Sequence, residues 1–71
     1  MKENSDFYKN VGQQIKHYRE LKSMTQAELG NKLGVTKNAV YSWETGKCTL
    51  HLKTAKEICK ILECSLDDLL K

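Results

Sequence analysis

The 71-residue chain contains no proline, so no loop backbone is pinned by one, the segment 46–51 included. No apolar run approaches the length needed to span a membrane. The N-terminal stretch MKENSDFYKN has no hydrophobic core of signal-peptide type, and a cytoplasmic location away from membranes is expected. Cysteine is scarce and odd in number, three in all, and without an export signal free thiols in a reducing compartment are expected. Cys48, His51, Cys59 and Cys64 have a C-x2-H…C-x4-C spacing only loosely like that of zinc ligands. Cys59 and Cys64 fall on the apolar pattern and read as core residues, and Cys48 reads as exposed. No metal and no cofactor are therefore expected. Catalytic groupings are also missing: His17 and His51 are isolated, and no Ser-His-Asp or paired-carboxylate pattern stands out. A core this small leaves no room for a cleft, which argues against an enzyme and against a small-molecule ligand.

What is present is one domain's worth of chain, 39% hydrophobic and 30% charged. The net charge of +3 is unevenly placed. Residues 1–50 hold eight Lys/Arg against five Asp/Glu, whereas residues 51–71 hold four of each. All of the excess lies in the first part, which favours a polyanionic partner. Surface charge that merely aids solubility would give a similar total.

The chain is organised around Gln26–Trp43, QAELGNKLGVTKNAVYSW. Small or apolar residues recur at Ala27, Leu29, Gly30 and Leu33, then at Val35, Val40 and Trp43, as on two short helices. Thr25 and Glu28 form a T-x-x-E capping box at the start of the first. Gly34 supplies the left-handed residue just past its end, and Thr36 can cap the second. With so few residues between, the helices must cross closely, and Gly30 fits that crossing where a large side chain would not. Val40 and Trp43 face inward, and Lys37, Asn38, Tyr41 and Ser42 face out.

Upstream, Met1–Ser5 is polar and expected to fray, with Ser5 or Asp6 capping a first helix. That helix carries Phe7, Val11, Ile15, Tyr18 and Leu21 or Lys22 at helical spacing. Gly12 interrupts it at a cost of about 1 kcal/mol relative to Ala, explained by close packing against a neighbour. Downstream, Gly46 ends the second helix of the motif. Leu52, Ala55, Ile58, Cys59 and Leu62 mark a fourth helix. Ser65 and Asp68 form a second capping box, opening a short last helix through Leu70. Leu66, Leu69 and Leu70 carry more apolar surface than a terminal helix needs, part for the core and part for a dimer contact.

Thr25-Gln26, Leu29-Gly30, Leu33-Gly34-Val35, Val40 and Trp43-Glu44-x-Gly46-Lys47 together resemble the helix-turn-helix of the Cro/repressor type, the XRE family. Val11-Gly12, Ile15, Tyr18-Arg19, Ile58-Cys59, Leu62, Cys64-Ser65 and Leu69 extend the likeness over Phe7–Leu70. Two departures stand out: Gly30 occupies a position that is usually Ala, and the proline common after Trp-Glu-x-Gly is absent. The resemblance implies an all-α fold, a compact lambda-repressor-like bundle of about five short helices in a single domain, 1–71. It also implies a sequence-specific transcriptional regulator of double-stranded DNA, of repressor type. A homodimer on an inverted-repeat operator goes with it. Lys37 and Asn38 would read base edges, and Tyr41 and Ser42 would reach bases or phosphates one turn later. Gln26 would bind phosphate with its helix N-terminus, Lys47 would hold the backbone beyond the far end, and Thr36 would also be a DNA-binding residue. Arg19 and Glu44 would join the first helix to the recognition helix by a salt bridge. Gly30, Gly34, Val40 and Trp43 would be structural. The rival reading is a protein-interaction or antitoxin-type module on the same fold.

Overall fold

The computed structural model describes residues 2–70, with side chains from Asp6 onward. Five helices follow one another: α1 (Lys2–Leu21), α2 (Gln26–Leu33), α3 (Lys37–Glu44), α4 (Leu52–Leu62) and α5 (Leu66–Leu70). No strand occurs among the described residues, so the fold is all-α, as the pattern predicted.

The local signals around α2 and α3 act as anticipated. Glu28 N–H donates to Thr25 Oγ1 at 3.1 Å, and Thr25 N–H donates to Glu28 Oε1 at 2.8 Å, completing the capping box. Gly34 takes φ +76° after α2. Thr36 Oγ1 accepts from Ala39 N–H at 3.2 Å and starts α3. The second box is formed as well: Asp68 N–H reaches Ser65 Oγ at 3.1 Å, and Ser65 N–H reaches Asp68 Oδ2 at 3.0 Å.

The core joins α1, α2, α3, α4 and α5 through Val11, Ile15, Leu29, Val40, Ile58, Cys59, Leu62 and Leu69. Ile15, Leu29, Val40, Ile58 and Leu69 are wholly excluded from solvent. Trp43 and Leu33 pack against this cluster half-buried.

Several expectations are corrected. The first helix begins at Lys2, so Lys2–Ser5 is helical rather than frayed, and Ser5 and Asp6 lie inside it and not at its start; Met1 lies outside the described residues. Phe7 is 46% exposed, in an open groove it shares with Leu50 and Leu66, and Leu21 is 66% exposed as the last residue of α1. Val35 and Ala27 are exposed, and so is Leu52 at 63%, since the inward stripe of α4 starts only at Ala55. Two helix ends are built without glycine: Ser23 at φ 53° follows α1, and Glu63 at φ 57° caps α4. Nothing in the residue types at those positions marks a left-handed turn.

Glycines set how closely the helices meet. A Cβ on Gly12 would lie 2.2 Å from the Trp43 carbonyl oxygen and 2.6 Å from that of Glu44. The backbone of α1 therefore rests directly on the C-terminal turn of α3. A Cβ on Gly30 would lie 2.8 Å from the Val35 carbonyl oxygen.

Candidate functional site

The eight residues of α3 present two different faces. Val40 and Glu44 are buried, whereas Lys37, Asn38 and Tyr41 are exposed and Ser42 is half-buried. The first turn after Thr36 thus offers an ammonium and a carboxamide to a partner, with the phenol of Tyr41 one turn on. Thr36 itself is exposed, but its hydroxyl oxygen is engaged in the cap.

The orientation of α3 is held by a buried polar cluster. Arg19 Nε donates to Glu44 Oε2 at 2.6 Å, and Arg19 Nη2 donates to Glu44 Oε1 at 3.1 Å. The side chains of the pair are 9% and 3% exposed. Arg19 Nη1 donates to the Met24 carbonyl at 2.7 Å, and Gln26 Nε2 donates to Glu44 Oε1 at 3.0 Å. The hydrogen bond to Glu44 is the main reason the Arg19 pKa rises above its ordinary value, with burial opposing it. A two-point guanidinium–carboxylate contact fixes direction as well as distance. The salt bridge implied by the resemblance is present, joining α1, the entry to α2 and the end of α3. The part played by Gln26 was not anticipated: its half-buried amide braces Glu44, which leaves its second N–H and the N-terminus of α2 for an outside acceptor.

Beyond α3, Gly46 adopts φ +74°, and Lys47 N–H donates to the Ser42 carbonyl at 2.9 Å. The turn brings the Lys47 ammonium to 5.5 Å from the centre of the Tyr41 ring. Tyr41 and Gln26 also line a hollow between α1 and α3, together with Lys9, Gln13 and Lys16. Those three residues of α1 were not singled out in the sequence. Their spacing, i, i+4, i+7, is the signal that could have marked them as one polar stripe.

On another part of the surface, an apolar groove gathers Phe7, Leu50, Leu52, Leu66 and Leu70. It includes the leucines marked in the sequence for a dimer contact. The cysteines are separate from both surfaces. Cys48 is exposed, Cys59 is buried and Cys64 is half-buried. Burial raises both inner thiols, and that of Cys64 is pushed up to about 11, which keeps it protonated at neutral pH. No group of three or more metal-ligating side chains is assembled among the described residues.

Comparison with known proteins matches residues 15–69 to the helix-turn-helix family model. The chain is 36% identical over 55 residues to an uncharacterised HTH-type transcriptional regulator of Methanocaldococcus jannaschii, covering 78% of this chain and 83% of that one. It is 40% identical over 57 residues to the HTH-type transcriptional regulator YqaE of Bacillus subtilis, covering 80% of this chain but only 49% of YqaE. Among solved structures, the P22 c2 repressor in complex with a synthetic operator superposes with a TM-score of 0.79 at 33% identity, over 86% of this chain and 92% of that one. FeII HppE superposes with a TM-score of 0.85 at 29% identity, over 92% of this chain but 35% of its own.

Proposed function

We propose, from the premise that this chain belongs to the Cro/repressor-type helix-turn-helix family, that it is a DNA-binding transcriptional regulator acting as a repressor, with α3 seated in the major groove. The observation that carries this is the division of α3. Its inner face is held by Val40 and the Arg19–Glu44–Gln26 cluster, while Lys37, Asn38 and Tyr41 stand exposed on the other side. Lys37 donates to guanine O6 and N7, and Asn38 pairs with adenine N6 and N7. Tyr41 and Ser42 contact the next bases or the backbone. The second amide N–H of Gln26, the N-terminus of α2 and Lys47 hold phosphates and set the register. The uneven charge and the operator-bound structural relative support the same reading.

Two copies bind an inverted repeat, paired through the apolar groove that holds Phe7, Leu50, Leu52, Leu66 and Leu70. Such a pair spaces its recognition helices one turn of duplex apart, about 34–36 Å.

A gel shift with mixed-sequence duplex at low salt tests the reading. A dimer meeting about six to ten phosphates loses roughly three to five decades of affinity between 50 and 200 mM salt. Absence of binding at low salt, or affinity indifferent to salt, overturns it and favours a protein partner for the same face.

A further inference from the structure

The hollow between α1 and the C-terminal half of α3 is lined by Lys9, Gln13, Lys16, Gln26, Tyr41 and Thr45, with Glu44 at its base. We infer that this hollow is a seat for the phosphodiester backbone of duplex DNA, with Lys9 and Lys16 of α1 as its cations. The inference rests on the DNA reading above and adds to it a contact surface on the first helix.

Three observations lead there. Lys9, Gln13 and Lys16 fall at i, i+4 and i+7, so their side chains leave α1 on one face, and all three are exposed. Neither lysine is engaged by a carboxylate: the ion pairs among the described residues are Arg19–Glu44 and Lys22–Glu63. Asp6 and Glu20, the acids next along α1 on either side of the stripe, pair with neither lysine. The acid at the base of the hollow is neutralised. Both Glu44 oxygens accept from Arg19, one also accepts from Gln26, and its side chain is 3% exposed. An anion entering the hollow therefore meets two ammonium groups and two carboxamides, and its one wall carboxylate is already compensated.

The stripe is also held rigidly against the reading helix. The carbonyl oxygens of Trp43 and Glu44 would lie 2.2 and 2.6 Å from a Cβ on Gly12, so backbone meets backbone at this crossing. Farther along, a Cβ on Gly46 would sit 2.8 Å from Lys9 Cγ and 2.9 Å from its Cα. Lys9 is thereby placed beside the turn that carries Lys47, and Tyr41 lines the hollow while facing the Lys47 ammonium. Lys9 and Lys16 line the hollow and Lys47 reaches the ring of Tyr41 in its wall, a cationic track with Gln26 beside it. A single strand's phosphates, flanking the groove that α3 enters, match a track of that kind.

The test compares two double variants with wild type on the same mixed-sequence duplex across a salt series. Lys9→Gln with Lys16→Gln removes the proposed cations. Lys32→Gln with Lys60→Gln removes equal charge from a different hollow, between α2 and α4. The expected result is a log–log salt slope about 1.8 shallower per protomer for the first pair, at about 0.9 for each phosphate no longer neutralised. The control pair leaves the slope near that of wild type, and thermal melts of both variants match wild type. Site selection with the first pair yields the wild-type consensus, because phosphates carry no base identity. An unchanged slope, or equal changes for both pairs, overturns the seat while leaving the DNA reading intact. Failure of wild type to bind any duplex removes both.

Discussion

At the scale of single residues, the first turn of α3 carries the reading of sequence. Thr36 commits its hydroxyl oxygen to the cap, and Val40 is wholly buried, so Lys37 and Asn38 are the side chains free to meet base edges. Asn38→Ala is expected to cost about 1–3 kcal/mol on the preferred site and to relax preference at one A·T pair. Its binding to mixed sequence stays near wild type, since Asn38 holds no phosphate in this reading. Lys37→Ala gives a mixed result, with less discrimination at a G·C pair and a slightly shallower salt slope. Site selection run in parallel on wild type and Asn38→Ala decides: identical preferences would show that Asn38 reads nothing. The exposure of Lys37, Asn38 and Tyr41 was legible in the sequence because a 3.6-residue period separates faces, whereas Ser42, read as outward, is half-buried. The bond from Gln26 to Glu44 was not, because it joins residues eighteen positions apart. Only the crossing of α2 and α3 brings those two together.

At the scale of elements, the crossings are set by missing side chains. Propensity alone favours Gly30→Ala, since Ala is about 1 kcal/mol the better helix former. The structure reverses that expectation, because the added Cβ would sit 2.8 Å from the Val35 carbonyl oxygen, which is backbone and cannot rotate away. Gly12→Ala meets a harder contact, 2.2 Å from the Trp43 carbonyl oxygen. Thermal melts are expected to rank wild type above Gly30→Ala, and Gly30→Ala above both Gly30→Leu and Gly12→Ala. Overpacking of this kind costs about 1–3 kcal/mol, and Gly12→Ala lies at or beyond the upper end. A Gly12→Ala protein melting at or above Gly30→Ala would show that α1 does not rest on α3 as described. The caps at Thr25, Thr36 and Ser65 were readable in advance, since such patterns are local, but the one expected at Ser5 or Asp6 was not borne out, because α1 already begins at Lys2. The left-handed turns at Ser23 and Glu63 were not readable, since neither residue type favours positive φ.

At the scale of the whole molecule, the apolar groove is the feature that a lone copy leaves open. Leu52 is 63% exposed and Leu70 49%, and Phe7 adds a 46% exposed ring to the same groove. Leu52→Glu and Leu70→Glu remove little packing in the single chain, so melts are expected to shift by no more than about 0.5 kcal/mol equivalent. Each variant should bind an inverted repeat no better than a half-site, because the second copy no longer pairs. Sedimentation with duplex present checks this. Wild type should form a two-to-one complex, and a one-to-one complex on an inverted repeat would remove the dimer.

By itself, the sequence determined the number, order and kinds of helices, the glycine turn at Gly34, and which side of α3 faces outward. Those follow from period, capping and conformational freedom, all of which act over a few neighbouring residues. Tertiary structure alone decided that α3 is the neighbour on which Gly12 lets α1 lie flush, and that Gln26 joins the Arg19–Glu44 pair. It also decided that the stripe of Lys9, Gln13 and Lys16 stands beside Tyr41, and that Phe7 and Leu52 lie at the surface and not in the core. Each of these depends on where one helix ends against another, and that distance is set by packing of residues remote in the chain.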